Sequence, residues 1–172
     1  MKILYNGITM RNDVEKIVLC SDSHGLEDVL MKLSNTYQDA SVMIHCGDSE
    51  LPDVYTRNFV FVHGNNDYCS TAPFDRILTI GNHRIFITHG HHYLYWNDKS
   101  SLVRKAKAEG CDICCFGHTH CYFDEEIDGV RMLNPGSLRC NRDGKNPSYM
   151  LIELDGEKIR TQRKEVSDLY KK

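Results

Sequence analysis

The sequence predicts an α/β fold with two packed sheets and helices on the outside. Three observations predict it. Continuous apolar runs recur early in the chain, as strands buried on both faces show. Leu26, Val29, Leu30 and Leu33 fall at helical spacing between the first two runs. Later segments alternate polar and apolar residues around Asp-Gly turns, the signature of antiparallel hairpins.

The elements follow in order. After a short lead-in, Lys16-Ile17-Val18-Leu19-Cys20 reads as a buried strand that ends in Ser21-Asp22-Ser23-His24-Gly25. The helix built on Leu26 to Leu33 comes next. Val42-Met43-Ile44 is a second strand, ending at Gly47-Asp48, and Phe59-Val60-Phe61-Val62 a third, ending at Gly64-Asn65-Asn66-Asp67. Arg76 to Ile80 and Arg84 to Thr88 are joined through Gly81-Asn82 as a hairpin. A helix from about Ser100 to Glu109 leads through Gly110 into the apolar run Ile113 to Phe116. Asp128-Gly129 and Asp155-Gly156 are hairpin turns, and the tail from Lys158 to Lys172 reads as a final strand with a frayed end. A parallel first half followed by an antiparallel tail is what two packed sheets require.

The chain has 172 residues, 41% of them apolar and 26% charged, ordinary values for a globular protein with a real core. No repeat, low-complexity stretch or linker divides it, so residues 1–172 read as one domain. A net charge of -3 argues against strong nucleic-acid binding, which needs a basic excess. No apolar run reaches the ~18 residues needed to span a bilayer. Met1 to Lys16 lacks a signal-peptide core, so the expected place is the cytoplasm. There are eight cysteines. Cys20, Cys46, Cys114 and Cys115 lie inside apolar runs, where a reduced thiol packs as a small hydrophobe.

Chemistry concentrates immediately after the strands. Asp22 and His24 follow the first and Asp48 the second; Asn65 and Asp67 follow the third. His89, His91 and His92 follow the hairpin, and His118 and His120 follow the strand ending at Phe116. Open α/β sheets bind ligands at the carboxyl ends of their strands, so these five segments can converge on one crevice. Oxygen donors mixed with several imidazoles suit a pair of borderline divalent metals such as manganese, iron or zinc. Two ions roughly 3.5–4 Å apart clamp the attacking and leaving oxygens of a phosphoryl displacement and generate hydroxide at neutral pH. No serine or cysteine nucleophile is then needed.

Asp-x-His, Gly-Asp, Gly-Asn-Asn-Asp, His-Gly-His and Gly-His-Thr-His, in this order and each after a strand, resemble the calcineurin-like metallophosphoesterase superfamily. The likeness is to its small single-domain phosphodiesterase branch in bacteria and archaea. It covers roughly residues 16–154 and includes Asn134-Pro135-Gly136-Ser137. The resemblance implies a four-layer α/β/β/α sandwich of two mixed sheets flanked by helices. It implies that Asp22, His24 and His120 hold one metal, that Asn65, His89 and His118 hold the other, and that Asp48 bridges them. Manganese is the first expectation for both ions, with zinc, iron or nickel as alternatives.

One position departs from many superfamily members, which carry a histidine acid where this chain has Asn66. An amide cannot act as an acid near neutral pH. The branch itself lacks this histidine, so the change fits. His91 is the candidate replacement, either as catalytic acid or as a group that orients the site. Asp48 is expected to take part in catalysis as the bridge; Asn66 and Arg139 are expected to touch substrate, Arg139 through its forked donors.

Other residues read as structural. His45 and His63 fit buried neutral rings, and His83, beside a turn, an exposed one. His92, Tyr93, Tyr95 and Trp96 form an aromatic group that either stacks on a base or packs on its own loop. Cys69 and Cys121 flank the motif loops. The leading function is hydrolysis of small phosphodiesters, nucleotides among them. The alternatives are a phosphomonoesterase, or a protein–protein scaffold like the retromer subunit that shares this fold with a degenerate metal site. Sheet edges in such sandwiches often pair, which suggests a homo-oligomer.

Overall fold

The computed structural model describes residues 4–5, 8–9, 14–96 and 98–171. The segment read as lacking a signal-peptide core lies largely outside the described residues; within it, β1 (Leu4–Tyr5) and β2 (Ile8–Thr9) pair antiparallel. Ten further strands follow: β3 (Glu15–Cys20), β4 (Val42–His45), β5 (Val60–Phe61), β6 (Asp75–Ile80), β7 (His83–Thr88), β8 (Ile113–Cys115), β9 (Tyr122–Ile127), β10 (Val130–Pro135), β11 (Ser148–Asp155) and β12 (Lys158–Glu165). Helix α1 spans Glu27–Thr36 and α2 spans Ser100–Ala108.

The strands form two five-stranded sheets, ordered β12-β11-β3-β4-β5 and β6-β7-β8-β10-β9. Each sheet is mixed. In the first, β3, β4 and β5 run parallel and β11 joins β3 antiparallel. In the second, β7, β8 and β10 run parallel between antiparallel edges β6 and β9. The antiparallel tail is therefore split: the β9–β10 hairpin completes one sheet and β11–β12 the other.

Alternation along β3 shows how the layers arise. Ile17 and Leu19 face the second sheet, in a core shared with Ile85, Ile87, Ile113, Cys115 and Leu133. Val18 and Cys20 face outward onto Val29, Leu30 and Leu33 of α1. On the far side, Phe86, Cys114 and Met132 meet Leu102, Val103 and Ala106 of α2. A period of two on the strands and three to four on the helices thus yields the α/β/β/α order. No helix among the described residues is long and apolar enough to cross a membrane.

The tail departs from expectation. After β12 the chain turns through a 3-10 segment, Val166–Tyr170, closed by reciprocal bonds between Glu165 and Asp168. Leu169 is buried there against the α1 core. One apolar residue with a local cap is enough to dock an end that composition alone suggests would fray.

Candidate metal centre

The motif loops are locked to one another before any ligand is considered. The N–H groups of Asp22, His24 and Gly25 donate to the carbonyls of Gly47, Asp48 and Ser49 at 2.8–3.1 Å. Gly117 N–H donates to His89 O, and Asn134 Nδ2 to Gly117 O at 2.8 Å. Ser137 Oγ donates to Asp22 O at 2.8 Å, which brings the Asn-Pro-Gly-Ser turn under the first loop. Gly64 and Gly117 are required by proximity: a Cβ at Gly64 would fall on Asp48 Oδ1, and one at Gly117 on Ser21 Oγ. Asp22, His24, Asp48, Glu50, His118 and His120 all hold left-handed backbone, with φ between 42 and 65°. Such conformations are sparsely populated outside glycine and gather where the surrounding fold dictates them.

Within this frame the seven expected ligands converge. Donor atoms of Asp22, His24 and His120 lie within 4.8 Å of one another, as do those of Asp22, Asp48 and His89. Asn65 Oδ1 stands 3.0 Å from His89 Nε2 and 3.0 Å from His118 Nδ1. Asp48 Oδ2 stands 3.5 Å from His89 Nε2, so Asp48 sits beside both clusters.

The outward nitrogens of three rings fix which atoms are left to bind. His89 Nδ1 donates to Cys46 O at 2.7 Å, His120 Nδ1 to Cys140 O at 2.9 Å, and His24 Nδ1 to Glu50 Oε1 at 2.6 Å. Each leaves a lone pair on Nε2. The Nε2 atoms of His24 and His120 face each other at 3.2 Å, and Asp22 Oδ1, 3.0 Å from His120 Nε2, is buried without a hydrogen bond. Acceptors turned on acceptors are unfavourable unless a cation lies among them. The donor set of carboxylate, amide and imidazole suits a first-row divalent ion. Burial pushes the Asp22 carboxyl up, yet the imidazoles of His120 and His89 outweigh it and hold it low. Burial lowers His120, but the Asp22 carboxylate beside it prevails and raises it.

Asp67 has a different duty from the one its place after a strand suggests. Its carboxylate accepts from the backbone N–H of Asp48, Ser49, Glu50 and Gly64 at 2.7–2.8 Å. It is a clamp that ties the third loop to the second. Burial would raise its pKa, but the donors from Glu50, Gly64 and Asp48 together hold it below the usual range. Glu50 and Cys46, whose oxygens orient His24 and His89, were not singled out from sequence. Cys46 contributes its carbonyl, which no residue type reveals, and Glu50 touches His24 only because two loops meet.

The remaining candidates are placed as follows. Asn66 is turned onto Asp48, its N–H on Oδ1 at 2.8 Å and its Nδ2 on Oδ2 at 2.7 Å. Arg139 is exposed and donates from Nη1 to His24 O at 2.6 Å. His91 is half-buried, its ring 5.4 Å from that of His89 and 6.2 Å from that of His118. Its Nδ1 is buried without a partner. Burial and then the His89, His92 and His118 rings lower its pKa to about 4, so it is neutral at physiological pH.

His45 is buried and satisfied, with Nδ1 accepting from Gly47 N and Nε2 3.0 Å from Ser23 Oγ; burial lowers its pKa to about 4. His63 is only half-buried, lying against Phe74 with ring centroids 4.8 Å apart, because its loop runs along the surface. The exposed reading of His83 is overturned: it is buried, 2.6 Å from Asp112 and 2.9 Å from Gly156 O, because two distant turns close over it. The aromatic group is divided, too. Tyr93 packs on Phe86 and bonds Asp75, His92 stacks on His91, and Tyr95 and Trp96 are exposed. All eight cysteines are free.

The chain is similar to known proteins. The chain is 34% identical over 144 residues to YsnB of Bacillus subtilis, a probable metallophosphoesterase, covering 82% of this chain and 85% of that protein. It is 30% identical over 168 residues to a phosphodiesterase of Methanocaldococcus jannaschii, covering 84% and 96% respectively. The crystal structure of a predicted phosphoesterase from Streptococcus pneumoniae superposes with a TM-score of 0.85 at 26% identity, over 90% of this chain and 91% of that one. The sequence profile of the calcineurin-like phosphoesterase superfamily domain matches residues 16–157, and the chain belongs to that family.

Proposed function

We propose that the chain is a phosphodiesterase for small phosphate esters that works with two divalent ions. The observation that carries this reading is the inward convergence of carboxylate, amide and imidazole groups from seven side chains, with the outward nitrogens of His24, His89 and His120 already bonded elsewhere. In this reading Asp22, His24 and His120 hold one ion, Asn65, His89 and His118 the other, and Asp48 both. Manganese is the proposed occupant, with zinc, iron and nickel as competitors. Bound there, the ions would supply a water nucleophile at neutral pH and positive charge against the phosphoryl oxygens.

The chain's own residues do the rest. Asn66 presses both its N–H groups on Asp48 and fixes that carboxylate. Glu50 sets the tautomer of His24, as the carbonyls of Cys46 and Cys140 set those of His89 and His120. Arg139 uses one donor on His24 O and keeps others for a phosphate oxygen. His91, neutral beside His89 and His118, can place an N–H on the ester but is poorly suited to release a proton. A substrate with a good leaving group needs no stronger acid.

The test is turnover of bis-p-nitrophenyl phosphate and p-nitrophenyl phosphate by metal-stripped protein given manganese, zinc, nickel or magnesium, beside Asp48→Asn. Metal-dependent diester hydrolysis that the variant loses is the expected result. Hydrolysis of the monoester alone would make the chain a phosphatase. No turnover despite metal binding would overturn the enzyme reading in favour of a scaffold of the same fold.

A further inference from the structure

A cleft of about 410 Å³ opens next to the metal centre, lined by Glu50, Leu51, Pro52, Asn66, Tyr68 and Cys69. Two of its walls belong to the centre as well: Glu50 bonds His24, and Asn66 bonds Asp48. A phosphate seated at the acceptor cluster would therefore carry one of its ester groups into this cleft. The volume lies in the range of small-molecule sites.

The lining says what that group is. It holds no lysine or arginine, and the oxygens of Asp67 behind it are taken up by backbone donors, so a second phosphate finds no counter-charge. Glu50 is 42% exposed and makes one side-chain bond, to His24, which leaves carboxylate capacity for hydroxyl donors. Leu51 and Pro52 offer an apolar floor. Tyr68, 85% exposed, presents a flat ring that packing does not account for, next to Asp67, whose carboxylate ties this loop to the one before it. A carboxylate for a sugar hydroxyl beside an exposed ring for a flat heterocycle is the chemistry of a nucleoside.

We infer that this cleft seats the nucleoside group of a nucleotide ester, with Glu50 receiving a sugar hydroxyl and Tyr68 stacking on the base. The inference rests on the phosphodiesterase reading and narrows its substrate class.

Two p-nitrophenyl esters that differ only on the retained side test it: the thymidine 5′-phosphate ester and the methyl phosphate ester. The thymidine ester should show a KM lower by about tenfold, the size of one base–aromatic stack. Tyr68→Ala should raise KM on the thymidine ester about tenfold more than on the methyl ester, and Tyr68→Phe should restore it. Calorimetric titration of metal-loaded protein with adenosine monophosphate and with methyl phosphate gives a second readout, independent of turnover. Equal KM values, or a nucleotide preference that Tyr68→Ala leaves intact, overturn the inference even where diester hydrolysis is robust. No turnover of either ester, with tight Tyr68-dependent binding of the nucleotide, would overturn the esterase reading and uphold the cleft.

Discussion

Strand β7 begins at His83 and hands over to His89 at its other end, and both rings are buried. At the β6–β7 turn, His83 faces oxygens on both sides, Asp112 ahead of β8 and Gly156 in the β11–β12 turn, so one ring ties the two sheets together. At the opposite end, His89 spends one nitrogen on Cys46 O and aims the other at Asn65 and Asp48, which cannot donate to it there. The backbone repeats the contrast. Around His83 the left-handed positions are mostly glycine: Gly81, Gly110, Gly129 and Gly156. Around His89 six residues with side chains hold such angles, at roughly 1 kcal/mol or more each. One end of the sandwich relieves strain and the other retains it, because only side chains can converge on an ion.

Substitutions at the two ends should therefore separate turnover from stability. His118→Ala, at a half-buried loop position, should lower diester turnover by on the order of 10³-fold, since several kcal/mol of charge stabilisation depend on an ion held in place. Its metal-free melting temperature should move by no more than about 2 °C. A variant with full activity would dissolve the distinction.

The clamp beneath the centre tests whether the strained end depends on it. Asp67→Asn sets an amide NH2 against backbone donors and should cost about 3 kcal/mol. The pH dependence follows from sign. The folded pKa of Asp67 lies below the unfolded value, so its contribution is full above about pH 4 and fades as pH falls through the folded value. Metal-free melts of the wild type should lose stability on acidification below pH 4, and those of Asp67→Asn should lose less. Parallel curves would mean that the clamp contributes nothing.

The smallest effect belongs to the relaxed end. His83→Ala should cost about 2 kcal/mol, roughly 5 °C in melting temperature, by removing a buried ring and its two hydrogen bonds. kcat on bis-p-nitrophenyl phosphate should stay within twofold of wild type. A large loss of kcat would mean that the two ends are coupled through β7.

The same contrast explains what could be read from the chain. The central strands β3, β4, β7 and β8 were legible because their apolar runs are buried on two faces, and most ligand loops because each follows such a run. Two packed sheets with helices outside were legible from the runs and their periods, and the family likeness added that both sheets are mixed. What stayed hidden depends on partners distant along the chain. His83 looks like a turn residue until Asp112 and Gly156 close on it, and Asp67 looks like a ligand until four N–H groups surround it. The splitting of the tail between sheets was equally illegible, since β9 and β11 each lead into an Asp-Gly hairpin turn, and only the strands they meet assign them to different sheets. The docking of Leu169 rests on a single apolar residue, too weak a signal against a polar background.

The layered core also sorts the thiols by chemical reactivity. Burial pushes the Cys115 thiol up to about 12 and raises Cys20, Cys46 and Cys114 as well, so these sulfurs are withheld from electrophiles while the sandwich is closed. Cys69, at the mouth of the cleft, and Cys140, whose carbonyl steadies His120, are exposed. A maleimide dye or heavy-atom reagent added to native protein is thus directed to two points flanking one crevice. Alkylation at the buried positions becomes a clock for how often the layers part.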